Sequence, residues 1–265
     1  MILNTLIFFV FGLMIGSFLS VVISRLETDE TIIFGRSKCP KCQNKLRSYE
    51  LVPLLSFVVL KGKCRHCKEK ISIFYPFVEL VTGLLFALLY IRFADVLIGA
   101  NLYLFFAFYL LVIMIFVVVF FFDIFHYIIP DKVVIPAIVV SAVLAVINII
   151  FHLDFFIFKP EVLNILLGPV IGGGLFLILV LATKEKGMGW GDVKLGLLIG
   201  IILGYPLILV SLFFSFTIGS IVSIILIAAK KKTRKDIVPF GPFLVIGALL
   251  ALFIGKYIVN WYLGG

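Results

Sequence analysis

The stretch Phe121-Phe-Asp-Ile-Phe-His-Tyr-Ile-Ile-Pro-Asp131 decides how the chain is organised, because it ends a long apolar run with a carboxylate at Asp123. A second stretch, Gly187-Met-Gly-Trp-Gly-Asp-Val-Lys194, carries Asp192 just before another apolar run. An ionisable side chain at membrane depth is costly and by default marks a functional site. Two such side chains indicate a catalytic pair.

The composition is that of a membrane protein. Of the 265 residues, 63% are hydrophobic and 14% are charged, whereas soluble domains carry about 25% charged residues. We predict an all-α polytopic protein with eight transmembrane helices and a small polar domain between the first two. The apolar runs long enough to cross a bilayer of roughly 30 Å are 2–24, 71–91, 98–122, 133–151, 162–182, 195–209, 211–229 and 238–260. Only Gly204-Tyr-Pro206 separates the sixth run from the seventh, so seven helices are the alternative.

The positive charge is distributed unevenly along the chain. The net charge is +9, and 20 of the 23 lysines and arginines lie in four polar segments that share one side of the membrane under the eight-helix prediction. These segments are 25–70, 123–132, 184–194 and 230–236. The positive-inside rule places them in the cytoplasm and both termini outside. The charge therefore indicates topology, and we expect no nucleic-acid partner.

The polar segment 25–70 contains every cysteine of the chain, as Cys39-Pro-Lys-Cys42 and Cys64-Arg-His-Cys67. Two C-x2-C pairs at this separation are typical of a zinc ribbon, in which four thiolates complete a tetrahedral shell. A segment this small needs a metal or another cross-link to stay folded. We predict structural zinc; a pair of disulfides is the alternative, which a reducing cytoplasm disfavours.

Two further features near this domain leave alternatives open. The apolar segment 50–60 is too short and interrupted to span, so it lies on the membrane surface or packs on the cysteine knuckles. Glu79 lies inside the second apolar run, either as a polar packing contact or as a contact to a polar cofactor. In the first run, Gly12 and Gly16 form a small-xxx-small pattern that predicts close helix packing.

The predicted topology brings the two aspartates to the same side of the membrane. The third helix ends near Asp123 on the inside, and the sixth begins on the inside just after Asp192. Peptide hydrolysis by water needs one group to take a proton and another to give one, and two close carboxylates that share a proton do both. Asp131 competes for the first role, although an acid at a helix start also suits the helix dipole. We expect Lys194 to be a plain cytoplasmic anchor.

The sequence resembles a known family, the type IV prepilin leader peptidases with N-methyltransferase activity. The resemblance covers nearly the whole chain, and its most specific parts are Asp123 followed by Pro130-Asp131, and Gly187-Met-Gly-Trp-Gly-Asp192-Val-Lys194-Leu195, with its Gly-x-Gly-Asp element. The other matching stretches are Gly16 to Arg25, Arg36-Ser-Lys-Cys39-Pro-Lys-Cys42, Pro53-Leu-Leu-Ser56 through Cys67, and Tyr75-Pro-Phe-Val-Glu79-Leu-Val-Thr-Gly83. Ser20 and Glu27 depart from the family pattern, and neither touches the acids or the cysteines.

The resemblance implies a bacterial inner-membrane enzyme with two activities. It assigns the catalytic roles to Asp123 and Asp192, and it makes prepilins or pseudopilins the substrates, cleaved on the cytoplasmic side after a glycine. It also implies methylation of the new N-terminus by S-adenosylmethionine. We expect the methyl donor near Glu79 and Glu50. The implied division is a first helix, 1–24, a zinc domain with four cysteine ligands, 25–70, and a peptidase bundle, 71–265.

A rival from another class is a proton- or cation-coupled transporter with a zinc-binding cytoplasmic module. That reading accounts for acids at membrane depth but not for the Gly-x-Gly-Asp context or the cysteine domain. In either case membrane lipids surround the protein. The sequence does not fix its oligomeric state.

Overall fold

The computed structural model describes residues 1–28, 37–39, 41–94, 100–151, 162–185, 187–233 and 236–263. These residues form helices and turns with no strand, which confirms the all-α prediction. The helices are α1 (Ile2–Thr28), α2 (Leu55–Val59), α3 (Phe74–Phe93), α4 (Ala100–His126), α5 (Asp131–Phe151), α6 (Val162–Thr183), α7 (Trp190–Leu203), α8 (Leu207–Ala228) and α9 (Gly241–Leu263), with a 3-10 turn at Ser48–Leu51. Arg36 and Pro40 of the cysteine-containing motif lie outside the described residues.

The chain divides into two compact units, Met1–Val118 and Val119–Gly265. In the first, α1 and α3 pack antiparallel through glycine. A β-carbon at Gly12 would lie 2.8 Å from the Cα of Gly83, and one at Gly16 would lie 2.7 Å from the Cα of Glu79. Real side chains do not tolerate such distances, so the two backbones meet directly. The predicted packing role of Gly12 and Gly16 is confirmed.

In the second unit, α6 and α7 also meet through glycine and run antiparallel. Gly168 faces Gly200, and Gly172 faces Gly196. At each of these glycines, backbone atoms of the other helix occupy the space that a side chain would need. Small residues permit this close approach of helices in a membrane. Ile201 of α7 also packs in one cluster with Ala145 of α5 and Ile165 of α6. Helix α7 therefore contacts both α5 and α6.

Among the residues that the structure describes, seven helices are long and apolar enough to span a membrane. The predicted break at Gly204-Tyr-Pro206 is confirmed, because α7 ends at Leu203 and α8 begins at Leu207. Helix α7, however, has only 14 residues, or about 21 Å at 1.5 Å per residue, which is shorter than a typical span. It begins at Trp190 rather than near 195, because the glycine-rich stretch supplies its first turn.

Candidate functional site

Asp123 lies in the last turns of α4, which ends at His126. Its side chain is buried, with 4% exposed. The backbone N–H of Gly241, the first residue of α9, donates to its carboxylate. Because a helix N-terminus presents free N–H groups and positive dipole, it stabilises an anion placed there. The start of α9 therefore holds the carboxylate of Asp123 in place.

Asp192 occupies the first turn of α7 and is also buried, with 9% of it exposed. Its Oδ2 accepts a hydrogen bond of 3.1 Å from the backbone N–H of Gly189, the residue that precedes the helix. An acid at this position satisfies one of the free N–H groups of a helix start. The glycine-rich stretch thus fixes the carboxylate through its backbone.

The two aspartates belong to one site. They are close enough that the charge of Asp192 acts on the carboxyl group of Asp123. Ile129 lies against both Gly191, which precedes Asp192, and Gly241, which binds Asp123: a β-carbon at Gly191 would lie 3.0 Å from its Cβ, and one at Gly241 would lie 3.4 Å from its Cδ1. Two neighbouring buried carboxylates of this kind can share a proton and activate a water molecule.

Asp131 stands apart from this pair. It is the first residue of α5, as the sequence predicted, and its side chain is 54% exposed. Both of its carboxylate oxygens lie 2.7 Å from Nζ of Lys194. The ion pair links the starts of α5 and α7 at the surface. Lys194 was expected to be a plain cytoplasmic anchor, and the structure gives it this specific partner.

Gly241 is a site residue that the sequence reasoning missed. It lies 118 positions after Asp123 in the chain, and glycine carries no chemistry that would mark it. The available signal is the string Pro239-Phe-Gly-Pro242, since proline just inside a helix start is a typical N-terminal pattern. That pattern predicts where α9 begins but not which carboxylate it meets.

The four cysteines come together in the first unit. One sulfur from each of Cys39, Cys42, Cys64 and Cys67 lies within 4.8 Å of every other, and none forms a disulfide. The sulfurs of Cys39 and Cys67 are 3.8 Å apart, which matches the edge of about 3.8 Å that a tetrahedron with Zn–S bonds of about 2.3 Å requires. The cluster fits a metal ion of this kind.

The two halves of the cluster are built alike. In each half, the backbone N–H of the first cysteine bonds to the carbonyl of the residue five positions later: Cys39 to Asn44 and Cys64 to Glu69. The turn closes through a residue with positive φ, 57° at Gln43 and 60° at Lys68. The backbone N–H of Cys42 points towards Cys39 and is the main reason that the pKa of Cys39 falls to about 7. The backbone N–H of Glu69 lowers the pKa of Cys67, but burial and the hydrogen bonds with the other three cysteines outweigh it and raise that pKa to about 11. The thiolate is the form that binds a metal.

Glu79 and Glu50 are both held by backbone N–H groups of the segment 47–54. Oε2 of Glu79 accepts a 2.9 Å hydrogen bond from the backbone N–H of Leu54, and Ser17 of α1 also bonds to the carboxylate. Oε2 of Glu50 accepts a 2.7 Å hydrogen bond from the backbone N–H of Arg47. The other oxygen of Glu50, Oε1, is buried and has no protein partner. Glu79 therefore has structural partners, and Glu50 keeps an acceptor to offer.

Comparison with known proteins gives consistent matches along the chain. Residues 10–93 match the Bacterial Peptidase A24 N-terminal domain, and residues 109–224 match the Type IV leader peptidase family. A Prepilin leader peptidase/N-methyltransferase of Bacillus subtilis (strain 168) is 36% identical over 257 residues, covering 97% of this chain and 97% of the relative. Proteins of the same name from Legionella pneumophila and Pseudomonas aeruginosa are 31% and 28% identical, covering 96% and 95% of this chain and 92% and 91% of the relatives. No solved structure matches the chain.

Proposed function

The chain belongs to the type IV leader peptidase family, and from this premise we propose that Asp123 and Asp192 are the catalytic pair of a prepilin peptidase that also methylates its product. The protein is a multi-pass membrane enzyme with peptidase and methyltransferase activity. The observation that carries the assignment of the pair is the convergence of two buried carboxylates, each held by a backbone N–H at a helix start.

In the proposed peptidase reaction, one carboxylate of the pair takes a proton from a water molecule as that water attacks the scissile carbonyl. The other carboxyl group gives a proton to the departing amine, so that the pair ends with one proton, as it began. The backbone donors at Gly189 and Gly241 each hold one of the two side chains in place. Because both acids are buried, bulk water does not compete with the water molecule that attacks the peptide bond.

The substrates under this proposal are prepilins or pseudopilins, whose short basic leaders are removed after a glycine. Cleavage takes place on the cytoplasmic side, where the positive-inside rule puts the segments that flank both aspartates. Although α7 is short, it runs antiparallel to α6 as far as Asn164, whose carbonyl accepts from the N–H of Tyr205. It therefore returns the chain across the membrane, and both termini lie outside.

The methyl donor is S-adenosylmethionine, which supplies an electrophilic methyl group to the amine that cleavage releases. We assign its binding to the first unit, where the free Oε1 of Glu50 offers a buried acceptor for a hydroxyl or ammonium group. The carboxylate of Glu79 accepts a hydrogen bond from the backbone N–H of Leu54 and so positions the loop that follows Glu50. No other buried carboxylate oxygen in the described part of the chain lacks a partner.

Zinc is the metal proposed for the four cysteines, with a structural role. Four thiolates would fill all four coordination positions of the ion, so none would stay open for a reaction. The proposal keeps three parts: the first helix, 1–24, the zinc domain, 25–70, and the peptidase bundle, 71–265. A transporter finds no support among the relatives named above, all of which carry the peptidase and methyltransferase name.

Mass spectrometry of a co-expressed prepilin tests the function directly. With the active enzyme, we expect a mature chain that begins just after the leader glycine and carries one extra methyl group. Leader removal without methylation would refute the methyltransferase half alone. An uncleaved prepilin beside a folded, zinc-loaded enzyme would refute the peptidase half.

A further inference from the structure

The segment 51–59 of the first unit presents an apolar surface to its surroundings. Its exposed side chains are Leu51, Val52, Leu55, Val58 and Val59, of which the last two are 70% and 77% exposed. Within α2, Val58 and Val59 lie three and four positions after Leu55 and share one side of the helix with it, and the exposed Leu51 and Val52 directly precede the helix. We call this set the 51–59 surface. In the polar module that contains the cysteines, such a patch calls for a partner.

The opposite side of the segment packs inward. The ring of Phe57 lies against Gly62, where a β-carbon would approach it to 3.1 Å. The backbone N–H of Leu54, immediately before α2, bonds to Glu79 of α3 at 2.9 Å. The segment is thus amphipathic: one side is fixed to the protein, and the other is free.

The bond to Glu79 determines the depth of the segment. Helix α3 begins at Phe74, and its 20 residues qualify as a membrane span. At 1.5 Å per residue the helix is about 30 Å long, which equals the thickness of the hydrocarbon core. Glu79 lies five residues inside its start, or about 7.5 Å along the axis. The start of α2 is therefore level with the first turns of a transmembrane helix. Amphipathic helices that lie on membranes bury their apolar side to roughly 5–10 Å.

Neighbouring residues extend the same pattern. Ile73 and Phe77, at the beginning of α3, are 75% and 52% exposed, so the apolar exposure continues onto the membrane helix. The exposed lysines Lys61 and Lys63 follow α2 directly. Basic residues next to an apolar surface complement the negative headgroups of anionic lipids.

We propose that the 51–59 surface is a membrane-docking surface, which inserts into the acyl-chain boundary of the cytoplasmic leaflet while Lys61 and Lys63 contact anionic headgroups. The cysteine module is then anchored at two places, by its transmembrane helices and by this surface. Glu50, which directly precedes the surface, lies at the level of the headgroups. The proposal does not depend on the assignment of either catalytic activity.

Tryptophan fluorescence in lipid tests the proposal. The two native tryptophans, Trp190 and Trp261, are replaced by phenylalanine, and Val58→Trp is introduced as the only indole. The full chain, with zinc bound, is placed in nanodiscs of phosphatidylethanolamine and phosphatidylglycerol. Quenching is compared between lipids brominated in the acyl chain and acrylamide in the water. Lys45→Trp, at an exposed site on a cysteine knuckle, is the matched control, and Val59→Trp is the second test position.

We expect a blue-shifted emission for Val58→Trp and Val59→Trp, strong quenching by brominated lipid and little by acrylamide. Lys45→Trp should show the reverse. Equal acrylamide quenching at positions 58 and 45 would overturn the proposal, because the surface would then face water. Protection from both quenchers would overturn it as well, since protein rather than lipid would cover the surface.

Discussion

The backbone N–H of Gly241 donates to the carboxylate of Asp123, although the two residues are 118 positions apart in the chain. A β-carbon at position 241 would lie 2.5 Å from Oδ2 of Asp123 and 3.1 Å from its Cγ. Only glycine therefore allows the start of α9 to approach this acid closely. Because of this contact, even the methyl side chain of alanine at position 241 would displace Asp123.

Gly241→Ala should lower the rate of leader cleavage on the order of 10²-fold, because the methyl group displaces Asp123 from its aligned position. Cleavage of a purified prepilin measures the effect, and the thermal midpoint of unfolding shows that the fold survives. Gly174→Ala is the matched control, since a β-carbon there meets no atom within 4 Å. Comparable cleavage by both variants would show that the contact does not position Asp123.

Asp123→Asn and Asp192→Asn should each reduce cleavage by about 10² to 10⁴-fold, the range expected when a general acid or base is lost. The amides keep the shape of the side chains, so zinc content and unfolding temperature should stay near those of the unchanged enzyme. Asp131→Asn serves as the control, because its carboxylate is exposed and paired with Lys194. Full activity of either amide variant would remove that residue from the pair.

Cys42→Ser should abolish zinc binding and impair methylation more than cleavage. Three thiolates and a hydroxyl bind zinc poorly, and the small module has no large core to replace the metal. Metal analysis and the two activities, measured on one preparation, supply the test, with Lys41→Ser as a control beside the same ligand. If both activities fell equally in a folded variant, the two sites would not be separable.

Glu50→Gln should weaken the binding of S-adenosylmethionine by on the order of tenfold, the effect of losing one hydrogen bond to a charged group. Calorimetry on the purified, zinc-loaded protein gives the affinity without any turnover. Glu69→Gln, an exposed acid of the same module, should bind the methyl donor normally. Unchanged affinity in the Glu50 variant would place the methyl donor elsewhere.

The ion pair between Asp131 and Lys194 should contribute little to stability, about 1 kcal/mol or less, because both side chains are partly exposed, 54% and 33%. A double-mutant cycle with Asp131→Asn and Lys194→Met isolates the coupling between them. High salt should reduce it further. A coupling of several kcal/mol would mean that the pair is far less accessible to solvent than its exposure indicates.

Local chemistry explains what the sequence predicted well. Cysteine spacing identified the four residues that meet, since a C-x2-C pair needs only its own turn to bring its sulfurs together. Gly12 and Gly16 predicted a close helix contact, because a stripe of small residues has few other uses in a membrane helix. Asp123 and Asp192 were recognised from their cost at membrane depth and from their glycine-rich context.

Long-range packing explains what the sequence did not predict. No periodicity indicates that Gly241 meets Asp123 or that Lys194 pairs with Asp131, because each contact depends on how separate helices pack. The bounds of α7 were also misjudged, because the helix covers 190–203 rather than 195–209. Its apolar residues extend to the turn at Gly204, and hydrophobicity alone does not reveal that its first turn consists of the glycine-rich stretch around Asp192.

The glycine contact between α6 and α7 has a genetic consequence. A β-carbon at Gly172 would meet the backbone carbonyl of Gly196, and one at Gly196 would meet the carbonyl of Gly172 at 2.6 Å. A carbonyl, unlike a side chain, cannot be exchanged for something smaller. A larger residue at Gly172 therefore cannot be compensated by a smaller residue at position 196. Suppressor mutations that restore the packing must lie at positions where they shift a whole helix.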